Sequence, residues 1–241
     1  MLELKNLTKK FGEVTAVDNL TFSIEKGEIF GLLGENGAGK TTTLRMLATM
    51  LRPTSGTAVL GGMDIVKDPE GVRSKVGILF GGESGLYDRL TVAENIQYFG
   101  ELNDMSMSDI KHRTKLLADS FDMNDFLDKR AGKLSKGMRQ KAAFARAIIH
   151  NPDILLLDEP SSGLDVSAMR SVQDFIMQQK AEGKTIIFSS HTMSEVEKLC
   201  DRIAVIHKGK LVAIGGLEEL RKRYNTDNLE ELFMELVGEK K

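Results

Sequence analysis

A single cysteine, Cys200, occurs among the 241 residues, so the chain cannot form a disulfide bond with itself. Proteins without disulfides are typical of reducing compartments, and the sequence therefore predicts a cytoplasmic protein. We interpret Cys200 as a small, half-buried apolar residue rather than as a reactive thiol, because free cysteine usually packs as a small hydrophobic side chain.

The sequence also lacks an excess of charge of either sign. Lysine and arginine total 33 residues, aspartate and glutamate total 35, and the formal net charge is −2. Proteins that bind nucleic acid usually carry a basic excess, because they neutralise phosphates. The composition therefore predicts no nucleic-acid partner, although it leaves a local basic patch open.

Long hydrophobic runs are missing as well. The apolar run Ile154–Leu157 is far shorter than the about 20 residues that a membrane-spanning helix needs. The first residues, Met1–Lys5, begin like a strand and lack the basic-then-apolar pattern of a signal peptide. We therefore expect any role at a membrane to depend on a separate membrane-spanning partner.

Short β-rich segments alternate with helical patterns, which predicts an α/β fold with a mostly parallel sheet. The stretch up to Ile24 predicts an antiparallel strand pair that turns around Gly12-Glu13. The other predicted strands are Ile29–Leu33, Val76–Phe80, Ile154–Leu157, Thr185–Ser189, Ile203–Ile206 and Leu211–Ile214.

Helix signals replace strands in the middle of the chain. Thr91-Val92-Ala93-Glu94 is a capping box, Ser106 begins a second helix, and Lys136–Ile149 reads as a third. After Gly216 two further helical stretches close the chain. The expected organisation is one domain over residues 1–241, with a core at 1–86 and 151–216, an inserted helical lobe at 87–150 and a C-terminal helical extension at 217–241.

Residues Gly34–Thr41 match the pattern G-x-x-x-x-G-K-[ST]. The match follows the predicted strand Ile29–Leu33 and precedes a helical run through Leu44, Leu47 and Leu51, which is the context that a phosphate-binding loop requires. A chance glycine-rich turn explains neither the full pattern nor its two flanking elements.

Each residue type in this loop suits a phosphate chain. Glycines let backbone N–H groups point inward, and the helix N-terminus adds partial positive charge. Lys40 supplies a cation for the β- and γ-phosphates, and the hydroxyl of Thr41 can bind Mg²⁺. The predicted phosphate-binding residues are Gly34, Asn36, Gly37, Ala38, Gly39, Lys40, Thr41 and Thr42.

Two adjacent acids, Asp158 and Glu159, end the buried strand Ile154–Leu157, at the strand end where open α/β sheets bind ligands. We predict that Asp158 holds Mg²⁺ and that Glu159 acts as general base on a water molecule. Neighbouring residues on a strand point to opposite faces, so we expect a turn starting at Pro160 to bring both acids to one site.

His191 follows the predicted strand Thr185–Ser189 and is a candidate contact of the γ-phosphate. An isolated histidine is more often an ordinary surface or core residue, so its position at the strand end carries this hypothesis. A capping box at Ser194–Glu197 predicts the start of the next helix and leaves His191 in the preceding loop.

Leu134-Ser135-Lys136-Gly137-Met138, which opens a helix, resembles the signature motif of ABC-transporter ATPases. The phosphate loop, Asp158-Glu159 and His191 follow the order and spacing of that family, and the resemblance runs from about residue 2 to residue 216. It implies a P-loop ATPase core and the hydrolysis of ATP with Mg²⁺.

The resemblance also implies partners. Ser135 and the backbone of Gly137 are expected to contact ATP bound by a second copy of the chain, so that a homodimer encloses two ATP molecules. Phe11 matches the aromatic residue that stacks on adenine. A membrane-spanning transporter subunit is the expected partner, which would hold the chain at the cytoplasmic face of the membrane.

The sequence departs from the family pattern at two places. The signature reads SKGM where the commonest form is SGGQ, so Lys136 and Met138 are changed while Ser135 and Gly137 are kept. Gly82 stands where the family usually has a glutamine, and the neighbouring Glu83 is left out of the predicted site.

The segments at residues 81–91, 135–141 and 228–233 resemble the exporter branch of the family, nearest to sodium-extrusion and drug-exporter subunits. A soluble ABC-type ATPase of cofactor assembly remains the alternative at this stage. The signature motif, Asp165 and His191 argue against an ordinary P-loop GTPase or kinase.

Overall fold

The structure, a computed structural model, describes residues 1–80 and 85–238. Its strands are β1 (Leu2–Phe11), β2 (Val14–Ile24), β3 (Ile29–Leu33), β4 (Ser55–Leu60), β5 (Met63–Asp64), β6 (Val76–Leu79), β7 (Ile154–Asp158), β8 (Thr185–Ser190), β9 (Arg202–His207) and β10 (Lys210–Gly216). Its α-helices are α1 (Lys40–Leu47), α2 (Pro69–Lys75), α3 (Val92–Glu101), α4 (Met107–Ser120), α5 (Lys136–Ile148), α6 (Val166–Ala181), α7 (Met193–Leu199), α8 (Leu217–Tyr224) and α9 (Leu229–Val237).

The strands form two sheets. A four-stranded antiparallel sheet has the order β2-β1-β4-β5, and a six-stranded sheet has the order β10-β9-β3-β8-β7-β6. Neighbours in the larger sheet are parallel except for β10, which runs antiparallel to β9. The predicted fold class, a mostly parallel sheet with an antiparallel portion at the N-terminus and helices inserted later, is confirmed.

The central strands β3, β7 and β8 are buried along their whole length because both faces of the larger sheet are covered. Successive side chains alternate between the two faces. On one face, Leu157 and Phe188 pack with side chains of helices α3 to α9. On the other face, Leu156 and Ile187 pack with the antiparallel sheet, α1 and α2. The larger sheet therefore forms the middle layer of the fold.

The helices of the middle of the chain share the core of the first face. Val92 and Ile96 of α3, Leu117 of α4 and Phe144 of α5 belong to the same buried cluster as the sheet residue Phe188. Helix α3 also packs directly against α4 and α5. None of the helices in residues 1–80 and 85–238 is long and apolar enough to cross a lipid bilayer.

Most element predictions are confirmed. The strand Ile29–Leu33 has the predicted bounds, and the other predicted strands differ from the observed ones by one or two residues at their ends. The Thr91 capping box is present with both of its hydrogen bonds, and Ser106 caps α4. The N-terminal pair β1 and β2 is antiparallel and turns between Phe11 and Val14.

Two predicted features are wrong. The helix after His191 starts at Met193 with Thr192 as its N-cap, not at a capping box of Ser194. The side chain of Glu195 instead points into the protein, where it accepts hydrogen bonds from Ser161 and Ser190. Helix α1 ends at Leu47, before Leu51, and Thr49 has a left-handed φ of 58°.

Asn95 in α3 fixes the segment that precedes this helix. Its side chain is fully buried; it accepts a hydrogen bond from the backbone N–H of Tyr87 at 2.7 Å and donates to the carbonyl oxygens of Tyr87 and Thr91. A buried amide that satisfies several backbone groups holds them in one arrangement. The segment from Tyr87 to Thr91 is therefore tied to the helical part of the fold.

We expect Asn95→Ala to lower the free energy of unfolding by about 2–3 kcal/mol, because it leaves buried backbone groups without partners. Asn103→Ala is the matched control, since within the described residues the side chain of the half-buried Asn103 makes one hydrogen bond, to the carbonyl of Phe99 at 2.8 Å. Its expected cost is about 1 kcal/mol. Urea denaturation measures both, and equal losses would contradict the role assigned to Asn95.

Candidate functional site

The loop Gly34–Gly39 connects β3 to α1, and two of its glycines are required by close packing. A Cβ atom on Gly34 would lie 2.4 Å from the carbonyl oxygen of Ile206, and one on Gly39 would lie 2.5 Å from that of Ala16. Gly39 also has a φ of 108°, which L-amino acids rarely adopt. By contrast, Gly37 has a φ of 82° but faces open space.

Other parts of the chain hold this loop in place. The carbonyl of Ala38 accepts a hydrogen bond from the backbone N–H of Gly209 at 2.9 Å, and the carbonyl of Gly209 accepts one from Asp18 at 2.8 Å. Gly209 lies in the turn between β9 and β10. The loop is therefore clamped between the two sheets, with the N-terminus of α1 behind it.

Lys40, the first residue of α1, is only 4% exposed. Its Nζ donates to the carbonyl oxygens of Gly34 at 2.7 Å and Glu35 at 3.0 Å, and it lies 4.0 Å from Oε1 of Glu159. Burial lowers the pKa of the Lys40 ammonium, while the carboxylates of Glu159, Asp158 and Glu35 oppose that shift. A cation under a loop of backbone N–H groups suits a polyphosphate.

Asp158, Thr41 and Ser189 form a hydrogen-bonded group beside the loop. Oδ1 of Asp158 accepts from the Thr41 hydroxyl at 3.0 Å and from the Ser189 hydroxyl at 2.5 Å. Asp158 is buried, and its carboxylate is a hard oxygen ligand. The sequence predicted Thr41 and Asp158 but missed Ser189, although Ser189 lies near the end of a parallel strand and pairs with Asp158 at the same sheet edge.

Glu159 lies outside the strand and has a left-handed φ of 45°. Its backbone N–H contacts both the hydroxyl oxygen of Ser189 at 3.1 Å and the Ser189 carbonyl at 3.2 Å. The chain bends at Glu159, and the turn that the sequence analysis expected follows at residues 160–163. This bend directs Asp158 toward Thr41 and Glu159 toward Lys40, so both acids lie at the same sheet edge.

His191 lies in the loop between β8 and α7, as the sequence predicts. Its Nδ1 is 3.1 Å from Oε1 of Glu159, and its side chain is about half exposed while that of Glu159 is mostly buried. The histidine therefore lies between Glu159 and solvent. Contacts thus join five predicted residues at one sheet edge: Lys40, Thr41, Asp158, Glu159 and His191.

The remaining predicted residues lie apart from this group or at its margin. Ser135 is the exposed N-cap of α5, where its hydroxyl accepts from the backbone of Met138 at 3.3 Å. Across residues 1–80 and 85–238, no hydrogen bond or ion pair connects residues 135–137, which include Gly137, to the loop at 34–42. The ring of Phe11 is 50% exposed with the Lys9 ammonium 5.1 Å above it.

Two further predicted residues border the loop. Asn36 is exposed, and Thr42 is half-buried in the first turn of α1. Gly82 and Glu83, at which the sequence departs from the family pattern, lie outside the residues that the structure describes.

We expect Gly39→Ala to lower the free energy of unfolding by at least about 3 kcal/mol. The backbone of residue 39 has a φ that alanine disfavours, and the new Cβ would clash with the Ala16 carbonyl. Gly37→Ala is the control, with only the cost of its left-handed backbone, about 1 kcal/mol. Denaturant unfolding of the two variants tests the packing argument. Equal stability of both variants would show that the loop can move away from Ala16.

Comparison with known proteins agrees with this site. The family described as ABC transporter matches residues 17–162. The chain is 48% identical over 238 residues to the ABC transporter ATP-binding protein NatA of Bacillus subtilis (strain 168), covering 97% of each chain. It is 40% identical over 220 residues to the Nod factor export ATP-binding protein I of Ralstonia nicotianae, covering 91% of this chain and 68% of that protein.

A solved structure gives the same result. The chain superimposes on a dimeric ATP-binding cassette in a post-hydrolysis state bound to ADP and Pi, with a TM-score of 0.80 and 26% identity, covering 90% of this chain and 98% of that one. The family match spans more than half of the chain, and its residues include the phosphate loop, Ser135 and the two acids. The chain is therefore an ATP-binding domain of the ABC transporter family.

Proposed function

We propose that this chain hydrolyses ATP as the energy-supplying subunit of an ABC exporter. The observation that carries the proposal is the convergence of Lys40, Thr41, Asp158, Glu159 and His191 at one edge of the parallel sheet. Phosphoryl transfer to water needs a phosphate-binding group, oxygen ligands for a metal ion and a general base, all close together. These residues supply all three.

ATP binding depends on groups that the fold already holds in place. The loop backbone and the N-terminus of α1 receive the phosphates, and Lys40 turns its ammonium from the Gly34 and Glu35 carbonyls to the phosphate oxygens. The exposed ring of Phe11 offers a face for the adenine. No large rearrangement of the loop is required, since Gly34 and Gly39 are fixed by packing.

Mg²⁺ fits the oxygen pair of Thr41 and Asp158, which already share a hydrogen bond. Within the described residues no group of three or more His, Cys, Asp or Glu side chains could hold a metal alone, which suits an ion that takes phosphate oxygens and water as its other ligands. When bound, the ion neutralises charge on the phosphates. Ser189 orients the carboxylate of Asp158 for that purpose.

Glu159 acts as the general base in this proposal. Its carboxylate accepts a proton from the attacking water, the water oxygen bonds to the γ-phosphorus, and the bond to the β–γ bridging oxygen breaks to release ADP. His191 holds the Glu159 carboxylate from the solvent side and reaches the γ-phosphate. Lys40 stabilises the negative charge on the transferred group.

A second copy of the chain completes each site. Ser135 and Gly137 begin α5 away from the phosphate loop of their own chain, and the hydroxyl of Ser135 is exposed. A two-fold dimer brings this helix N-terminus to the partner's nucleotide and forms two sites from one interface. The dimeric cassette with ADP and Pi supports this arrangement.

Coupling to transport requires a membrane-spanning subunit that senses dimer closure. ATP favours the closed dimer because it contacts both chains, and hydrolysis removes that preference. We infer attachment to the cytoplasmic face of a membrane, with residues 87–150 as a helical lobe and a helical extension that begins at residue 217. The name of the Nod factor export relative supports export, and Na⁺ or a drug is the proposed cargo. Flux of Na⁺ into inverted vesicles tests cargo and direction together.

We expect Glu159→Gln to lower ATP turnover by about 100-fold or more while ATP binding is kept, because the amide preserves the shape but cannot accept the proton. The variant should accumulate as an ATP-bound dimer in size-exclusion chromatography. Glu101→Gln, at an exposed position at the end of α3, is the control and should remain fully active. Turnover within a few-fold of wild type would exclude Glu159 as the base.

We expect Ser135→Arg to abolish hydrolysis without weakening ATP binding to the monomer. The large side chain obstructs the nucleotide bound by the partner chain but does not reach the nucleotide bound by the chain that carries it. Ser135→Thr keeps both the hydroxyl and the helix cap and should retain activity. Phosphate release and nucleotide titration at low protein concentration measure the two properties. Normal hydrolysis by Ser135→Arg would refute the shared site.

A further inference from the structure

The side chain of Lys9 lies against the ring of Phe11. Its ammonium is 5.1 Å from the ring centroid, over one face of the ring. A cation at such a distance from an aromatic centroid is attracted by the negative charge on the ring face. One face of the ring is therefore covered by the ammonium, while half of the Phe11 surface stays open to solvent.

A hydrogen bond fixes the ammonium in this place. Nζ of Lys9 donates to the carbonyl oxygen of Arg52 at 2.8 Å. Arg52 follows helix α1, to which the backbone N–H of Leu51 is bonded through the carbonyl of Arg45 at 3.1 Å. The ammonium thus connects the ring at the end of β1 to the helix that begins at the phosphate loop.

The backbone of this corner is held without the side chain of Lys9. The N–H of Thr54 donates to the carbonyl of Thr8 at 2.8 Å, and the N–H of Lys10 donates to the hydroxyl of Thr54 at 2.9 Å. These bonds place the end of β1 beside the segment that follows α1. A change of the Lys9 side chain therefore releases the ring and leaves the backbone of β1 in place.

A ring that is already held in one orientation costs less to order when a base stacks on it. An exposed phenylalanine side chain samples several rotamers, and a ligand that selects one of them loses binding free energy to that ordering. Lys9 selects the rotamer in advance, because the ring faces its ammonium. The covered face leaves the opposite face for the base.

We propose that Lys9 is a positioning residue for the base of the nucleotide, which holds the ring of Phe11 so that adenine stacks on the uncovered face. The inference rests on the proposed function, in which Phe11 receives the adenine and the loop at 34–42 receives the phosphates. Lys9 acts through the ring and not through its charge on the phosphates. Its removal therefore weakens the binding of ligands that carry a base and leaves the binding of phosphate chains alone unaffected.

Two ligands separate these contributions. ADP carries a base and a phosphate chain, whereas inorganic tripolyphosphate carries the phosphate chain alone. Isothermal titration calorimetry of the full chain with Mg²⁺ gives both dissociation constants. We expect Lys9→Met to raise the dissociation constant of ADP by about two- to fivefold, which is the size of an exposed cation–π contact. The dissociation constant of tripolyphosphate should stay the same, because the phosphate loop is untouched.

The effect must depend on the ring. Phe11→Ala should raise the dissociation constant of ADP by about tenfold, because it removes the stacking contact with the base. In the Phe11→Ala chain, Lys9→Met should cause no further change, since no ring is left to hold. In steady-state kinetics, Lys9→Met should raise KM for ATP and leave kcat unchanged, as expected for lost binding.

Lys10→Met is the matched control. Lys10 is the neighbouring lysine, and its exposed side chain makes no hydrogen bond or ion pair within residues 1–80 and 85–238. This variant should bind both ligands as the wild type does. Lys9→Arg keeps a cation that stacks on an aromatic ring and donates to a carbonyl, and it should restore the binding of ADP.

Three results would overturn the proposal. An unchanged affinity for ADP in Lys9→Met shows that the ring needs no support. Tighter binding of ADP shows that the ammonium obstructs the face on which the base stacks. An equal loss for ADP and tripolyphosphate, or a loss that persists in the Phe11→Ala chain, shows that Lys9 acts on the phosphates or on the fold as a whole.

Phe11→Ala separates this inference from the proposed function. If Phe11→Ala binds ADP normally, the adenine lies elsewhere, and the placement of the base in the proposed function is wrong. If Phe11→Ala weakens the binding of ADP and Lys9→Met does not, only the role of Lys9 fails.

Discussion

In the larger sheet Asp158 pairs with Ser189, and Leu33 pairs with Ser190. This register places the carboxyl ends of three parallel strands at one edge, so that the phosphate loop, the acidic turn and the histidine loop all begin there. Parallel strands buried on both faces cannot slip by one residue without moving every side chain to the opposite face. The geometry of the ATP site therefore depends on core packing far more than on the site residues themselves.

Two of the functional groups of this site lie in conformations or surroundings that cost free energy. Lys40 is an ammonium buried among backbone carbonyls, and Glu159 adopts a left-handed backbone that non-glycine residues avoid. Both features persist because their surroundings leave them no alternative: Gly34 and Gly39 are packed against carbonyl groups, and Ser189 binds the backbone of Glu159. The hydroxyl of Ser189 donates to the carboxylate of Asp158 and accepts from the backbone N–H of Glu159. The register of the strands therefore sets the positions of both acids.

The sequence predicts those parts of the fold whose signal is local. The run Ile29–Leu33 and the acids at 158 and 159 stand out because a buried strand and its end can be read from neighbouring residues. It gave no signal for β4, in which Gly56 lies against the carbonyl of Asn6, because that strand is defined by its pairing with β1. It also did not predict α6, whose buried face includes the polar side chains of Gln173 and Gln179.

The same distinction applies to the site. Ser194–Glu197 has the pattern of a capping box, yet the side chain of Glu195 is buried and accepts hydrogen bonds from the hydroxyl groups of Ser161 and Ser190. Ser161 is distant in sequence, and Ser190 belongs to strand β8. The hydrogen bond of Lys9 to the Arg52 carbonyl joins β1 to a segment 43 residues later, and no local pattern encodes such a pair. Long-range hydrogen bonds of this kind become visible only when the topology is known.

The hydrogen bond between Ala38 and Gly209 has a consequence for the order of events during translation. The phosphate loop is encoded early in the chain, but β3 lies between β8 and β9, and the loop is secured by a turn near residue 209. A nascent chain that has only just exposed its first half cannot yet form these contacts. The chain can therefore bind nucleotide only after strands β8, β9 and β10 have left the ribosome. A truncated chain that ends before these strands should not bind ATP.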